Sequence, residues 1–127
     1  MAVRIASMAL RVFFVINLIL GILFWVNSAL GLVGLHMLVG IIFVALLWFL
    51  GLAQAATKEG SLGLMVGTFA IGLLLAIIGL FQEGWLAGSA HWIIQVLHLL
   101  VAAGAAGLGE AAAGRYRRGV AASAATA

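Results

Sequence analysis

Residues 12–57, VFFVINLILGILFWVNSALGLVGLHMLVGIIFVALLWFLGLAQAAT, run for 46 positions without an Asp, Glu, Lys or Arg. That is enough for two helices of about 20 residues with a turn between them, each long enough to cross the hydrocarbon core of a bilayer. A soluble domain wets its surface with roughly 25% charged residues. Only 7% of this 127-residue chain is charged, while 67% is hydrophobic. So few charges cannot cover a water-facing surface, and the apolar bulk must face lipid.

Outward from that stretch the pattern repeats. Between Glu59 and Glu83 lie 23 more charge-free residues, and between Glu83 and Glu110 another 26. The reading is four spans at about 8–30, 32–56, 61–82 and 88–112, with a tail at 113–127 whose end, Val120–Ala127, is expected to fray, forming a single four-span transmembrane domain over 1–127. Helices are required because a lipid-facing segment must satisfy its own backbone groups, and the period-2 alternation of a membrane barrel is missing. Gly31 and Gly34 bracket the first turn, Lys58-Glu59-Gly60 makes the second, and Gln82-Glu83-Gly84 opens the third. Such short connections predict an all-α, up-down-up-down four-helix bundle.

The six basic residues set the orientation. Arg4 and Arg11 precede span 1, Lys58 lies between spans 2 and 3, and Arg115, Arg117 and Arg118 follow span 4. With four spans all of them fall on one side, which the positive-inside rule makes cytoplasmic, together with both termini. The other side carries Glu83, with Trp25, Trp85 and Trp92 as interface aromatics. The net charge of +3 therefore reflects membrane flanks, and no nucleic-acid partner is expected. Arg115-Tyr116-Arg117-Arg118 reads as a topology anchor that attracts anionic lipid. The first apolar run far exceeds the 7–15 residues of a signal peptide. With no cysteine, disulfides, thiolate metal sites and c-type haem attachment are excluded for this chain.

An ionisable residue inside a span is a functional hypothesis by default. Span 1 offers Asn17, with Asn27 and Ser28 near its outer end. Span 2 has His36, with Gln54 at its inner edge, and span 3 has Thr68. Span 4 holds His91, Gln95 and His98, with Glu110 near its exit. The three histidines thus sit on spans 2 and 4, the diagonal pair of a simple bundle. His91, Gln95 and His98 share one helix face by their i, i+4, i+7 spacing. Zinc needs about four ligands within some 2 Å, yet His91 and His98 stand about 10 Å apart along the axis. A proton relay calls for carboxylates that the span bodies lack.

Haem b needs less of the protein: one neutral imidazole on each face of the iron and an apolar slot, which a bundle can build from facing helices. The run Leu35-His36-Met37-Leu38-Val39-Gly40 is echoed by Leu97-His98-Leu99-Leu100-Val101-Ala102. Each histidine is followed one turn later by a small residue, Gly40 or Ala102, which leaves room for a porphyrin edge. Residues 18–24 and 74–80 also resemble each other, as in a duplicated helical hairpin. The expected axial ligands are His36 and His98, by this echo. Counting residues inward from the outer span ends instead pairs His36 with His91. Where His98 is the ligand, His91 lies above the ring, in reach of a propionate or a water.

In this arrangement of histidines on opposed helices the chain resembles small four-helix transmembrane b-type cytochromes. The run His91-Trp92-Ile93-Ile94-Gln95-Val96-Leu97-His98 is also similar to short bacterial four-span proteins of unassigned activity. The resemblance implies a haem-binding electron carrier of a bacterial inner (plasma) membrane; a quinone or a redox partner protein is compatible with that reading, and the sequence does not choose between them. It departs from the larger cytochromes b, which use four histidines, so two bis-histidine haems are not supported. No Walker, Rossmann, nucleophile-elbow or metalloprotease pattern occurs, which favours a carrier over a catalyst. The competing reading is a helical scaffold or partner subunit without cofactor, its polar residues serving helix packing, as Asn17, Gln95, Gly63 and Gly67 would. Either reading is compatible with a homo-oligomer.

Overall fold

The computed structural model describes residues 1–125. Four helices account for most of them: α1 at Ala2–Trp25, α2 at Val33–Ala55, α3 at Leu62–Phe81 and α4 at His91–Ala125. Single 3-10 turns occupy Leu30–Leu32 and Gln82–Gly84, and no strand occurs among the described residues. The shortest helix, α3, has 20 residues, about 30 Å at 1.5 Å per residue. All four helices are long and apolar enough to cross a membrane.

The distribution of apolar side chains explains why. On α1, Ile5, Met8, Val12, Val15, Ile19 and Ile22 are all exposed, three or four residues apart, and form one outward stripe along the helix. Val3, Ala6, Ser7 and Leu10 are buried on its inner side. Soluble monomers rarely expose apolar surface on that scale. Comparable outward residues recur on α2 (Leu38, Ile41, Leu52), α3 (Leu62, Val66, Leu73) and α4 (Ile93, Leu97, Leu100). The protein has a buried interior and an apolar exterior, as a membrane protein does.

Among the described residues, α2 and α4 touch each other and both remaining helices, whereas α1 and α3 do not meet. The dense core gathers Leu10, Phe43, Val44, Leu47, Leu50, Leu75, Ala105, Ala112 and Ala113. Small residues make that closeness possible. A Cβ on Gly109 would lie 2.6 Å from Leu10 Cδ2, and one on Gly51 would collide with Thr68 Oγ1. Gln54, fully buried, spans both sides of the Ser61 peptide. It accepts from Ser61 N at 3.0 Å and donates to Ser61 O at 2.8 Å and Gly51 O at 3.0 Å. The Ser61 hydroxyl in turn caps α3 by accepting from Leu64 N at 3.2 Å. At this same end Arg11 and Glu110 form a two-pronged ion pair, each N–O distance 2.6 Å.

Three local expectations are corrected. Residues 113–125 continue α4, so the fraying expected from Val120 onward does not begin there, while residues 126 and 127 of that expectation lie outside the described residues; alanine is the best helix former, and this stretch packs. Ala112, Ala113 and Gly119 are buried, Tyr116 lies against the core, and Arg115 donates to the Glu59 carbonyl. The first turn forms before Gly31 and Gly34, not between them. Asn27 (φ 55°) and Ala29 (φ 58°) reverse the chain in the left-handed region, which asparagine tolerates better than most residues. Finally, α1 begins at Ala2 rather than near residue 8, since charged residues mark a membrane boundary without ending a helix.

Candidate functional site: two opposed histidines beneath an open cavity

The dense core ends at Phe43 and Leu75; beyond it, toward Glu83, the helices enclose space. The imidazoles of His36 on α2 and His98 on α4 face each other there, ring centroids 6.3 Å apart and planes inclined at 46°. That separation is too wide for a direct hydrogen bond between the rings.

Depth counted from the helix starts would have missed this pairing. His36 is the fourth residue of α2 and His98 the eighth of α4. The 3-10 turn Leu30–Leu32 ahead of α2 restores the match. Three residues at about 2 Å each offset the roughly 6 Å that four α-helical residues span.

Each ring lies against a glycine of the preceding helix. A Cβ on Gly21 of α1 would stand 3.9 Å from His36 Cε1, and one on Gly79 of α3 would stand 3.3 Å from His98 Cε1. The second of these is tighter than ordinary van der Waals contact. Gly21 and Gly79 are 58 positions apart, and His36 and His98 are 62 apart. Each hairpin thus sets a glycine of its first helix against the histidine of its second.

The two histidines differ in their hydrogen bonding. Asn17 of α1 is laid against the backbone of α2. With the amide turned so that its nitrogen meets acceptors and its oxygen meets donors, the nitrogen donates to the His36 carbonyl at 3.0 Å and the oxygen accepts from Gly40 N at 3.1 Å. Nδ1 of His98 is buried without a partner. Phe24 packs edge-on against His36, centroids 5.4 Å apart.

The pair lies between two spaces. Toward the core is a pocket of about 100 Å³ lined by Phe43, Val44, Leu75, Gly40 and Ala102 among others. Toward Glu83 is a cavity of about 520 Å³, within the usual range of ligand sites. Its walls include Phe14, Leu18, Phe24, Leu80 and Leu99, and its rim carries Gln82, Glu83, His91 and Gln95. The enclosure is mostly apolar, with polar groups at one mouth.

The structure thus brings His36 and His98 together and leaves His91 apart, at the first turn of α4, with Nδ1 3.2 Å from the Trp85 carbonyl. Among the described residues no three of His, Asp and Glu are grouped to hold one metal ion. Gly40 and Ala102 both line the inner pocket, and Ala102 the outer cavity as well. Gly40 additionally seats the Asn17 amide. Two participants escaped the sequence reading, Gly21 and Gly79; their common offset of 58 was the available signal, hidden because the histidines differ by 62. Comparisons with known protein families, with curated proteins and with solved structures return no match.

Proposed function

We propose that the chain is a multi-pass membrane protein of the bacterial inner (plasma) membrane. In this reading it is an up-down-up-down bundle of two duplicated hairpins that binds one haem b and carries single electrons. The observation that carries the proposal is the pair of imidazoles from two helices, 6.3 Å apart, at the floor of an apolar cavity of about 520 Å³. His36 and His98 would hold the haem iron. Gly40 and Ala102 keep the inner side of the slot narrow-walled. Phe14, Phe24, Leu80 and Leu99 would exclude water from the group, and His91 and Gln95 would offer polar partners at the mouth.

Bound haem would supply a one-electron couple whose potential the axial ligands and burial set. The protein's contribution is ligation, burial and orientation. The one-sided basic residues put both termini in the cytoplasm and the cavity mouth, with Glu83, on the opposite face. A redox partner, quinone or protein, would then meet the site from that face.

A scaffold that uses its histidines only to join helices would be expected to satisfy them, each interhelical hydrogen bond being worth about 0.6 kcal/mol. Asn17 and His36 fit that description. His98 does not, since its buried Nδ1 has no partner and an unsatisfied buried nitrogen costs stability. Absorption spectroscopy of the detergent-purified protein tests the proposal. Low-spin haem bands support it, and a colourless protein that takes up no added haem refutes it.

A further inference from the structure

We propose that Arg117 and Arg118, converging over Gly114 of α4, form a binding site for the phosphate of an anionic phospholipid headgroup. The site lies at the far end of the bundle from the histidine cavity, and it is independent of the haem reading.

Glu110, Gly114, Arg117 and Arg118 follow i, i+4, i+7 and i+8 spacing along α4 and therefore share one helix face. Long helical side chains lean back over the preceding turn, which carries both guanidinium groups toward Gly114 and toward the bilayer. A Cβ on Gly114 would stand 3.5 Å from Arg118 Nη1 and 3.8 Å from Arg117 Nη2. Glycine leaves open the point on which the two charged ends close.

Those charges are uncommitted within the protein. Both arginines are exposed, and among the described residues neither makes a hydrogen bond or an ion pair. Arg115, in the same basic run, is turned elsewhere and donates to the Glu59 carbonyl. The Glu110 carboxylate on the shared face is already held by Arg11 through two contacts of 2.6 Å. Two unpaired positive charges remain on that face. Guanidiniums brought to one point repel each other, and a phosphate between them replaces the repulsion with paired, charge-assisted hydrogen bonds.

Depth selects the source of the phosphate. Gly114 follows His91, the first residue of α4, by 23 positions, or about 35 Å along the axis. The hydrocarbon core is about 30 Å thick, and the bilayer with its headgroups about 40–45 Å. With His91 at one interface, the arginine pair stands in the opposite headgroup layer, where the phosphate within reach belongs to a lipid. Phosphatidylglycerol suits two unbalanced charges better than phosphatidylcholine, whose phosphate brings its own ammonium.

Native mass spectrometry of the full chain in detergent, titrated with phosphatidylglycerol or phosphatidylcholine, tests the site. Wild type should retain phosphatidylglycerol in preference. Arg117→Gln combined with Arg118→Gln should weaken that binding about 30-fold, from about 5-fold for each arginine near a membrane surface. Gly114→Leu keeps every charge but fills the point of convergence, and should weaken binding by about 5-fold, as loss of one arginine would. Lys58→Gln removes an exposed basic residue at the same end and should leave binding unchanged. Equal retention of the two lipids would contradict the proposal. So would wild-type binding by Gly114→Leu, or a loss in Lys58→Gln as large as in the double variant, since either would mean that net charge alone attracts the lipid. Inorganic phosphate in large excess should not displace phosphatidylglycerol from the wild type. Displacement would assign the pair to soluble anions and overturn the lipid site.

Discussion

A Cβ built on Gly79 stands 3.3 Å from Cε1 of His98, so α3 offers no side chain where α4 lays its imidazole. Gly79→Val should overpack this contact, cost about 1–3 kcal/mol and displace the ring from its partner. Gly21→Ala, where the corresponding gap is 3.9 Å, should stay within about 0.5 kcal/mol of wild type. Unfolding in detergent followed by circular dichroism separates them, and equal effects would show that the glycines do not shape the site.

Gln54 is fully buried and is hydrogen-bonded on both sides of the Ser61 peptide. Gln54→Leu keeps much of the volume but strands the Ser61 N–H and carbonyl, and should cost about 1–3 kcal/mol. The midpoint of a denaturant titration in mixed micelles reads this loss. An unchanged midpoint would mean that water replaces the amide.

The four helices were legible because lipid imposes a simple rule: charge-free intervals of sufficient length must be helices. Their ends were less so. The overhang of α4 to Ala125 depends on Tyr116 and Gly119 packing against distant residues, and the first turn depends on left-handed Asn27 and Ala29, neither of which is visible in hydropathy. The echo around His36 and His98 identified the facing pair, whereas residue counting favoured His91 because the 3-10 turn at Leu30–Leu32 adds depth that an α-helical count omits. Asn17 was read as an interhelical hydrogen-bonder; that its target is the backbone at His36 and Gly40 required the coordinates.

Arg11 and Glu110, 99 positions apart in the chain, join α1 to α4 through paired 2.6 Å contacts. Arg11→Gln or Glu110→Gln should lower the thermal midpoint, since each leaves one charge unpaired. The exchange Arg11→Glu with Glu110→Arg should recover part of the loss. Failure of the exchange to recover any would assign the effect to each side chain's packing rather than to the ion pair.

The six basic residues predict sidedness. In intact cells, a cysteine at Glu83 should react with an impermeant maleimide from outside, and a cysteine at Lys58 should react only after permeabilisation. The opposite pattern would invert the proposed orientation while leaving the helices unchanged.

The account depends most on His36 and His98 holding one iron. The direct measurement is the absorption spectrum, oxidised and then reduced, of wild type and the three histidine-to-alanine variants after haem reconstitution. Wild type and His91→Ala should show a sharp six-coordinate low-spin Soret band with split visible bands on reduction, and His36→Ala and His98→Ala should each lose the six-coordinate form. No haem uptake by the wild type, or loss of the six-coordinate form in His91→Ala with His98→Ala intact, would contradict the account.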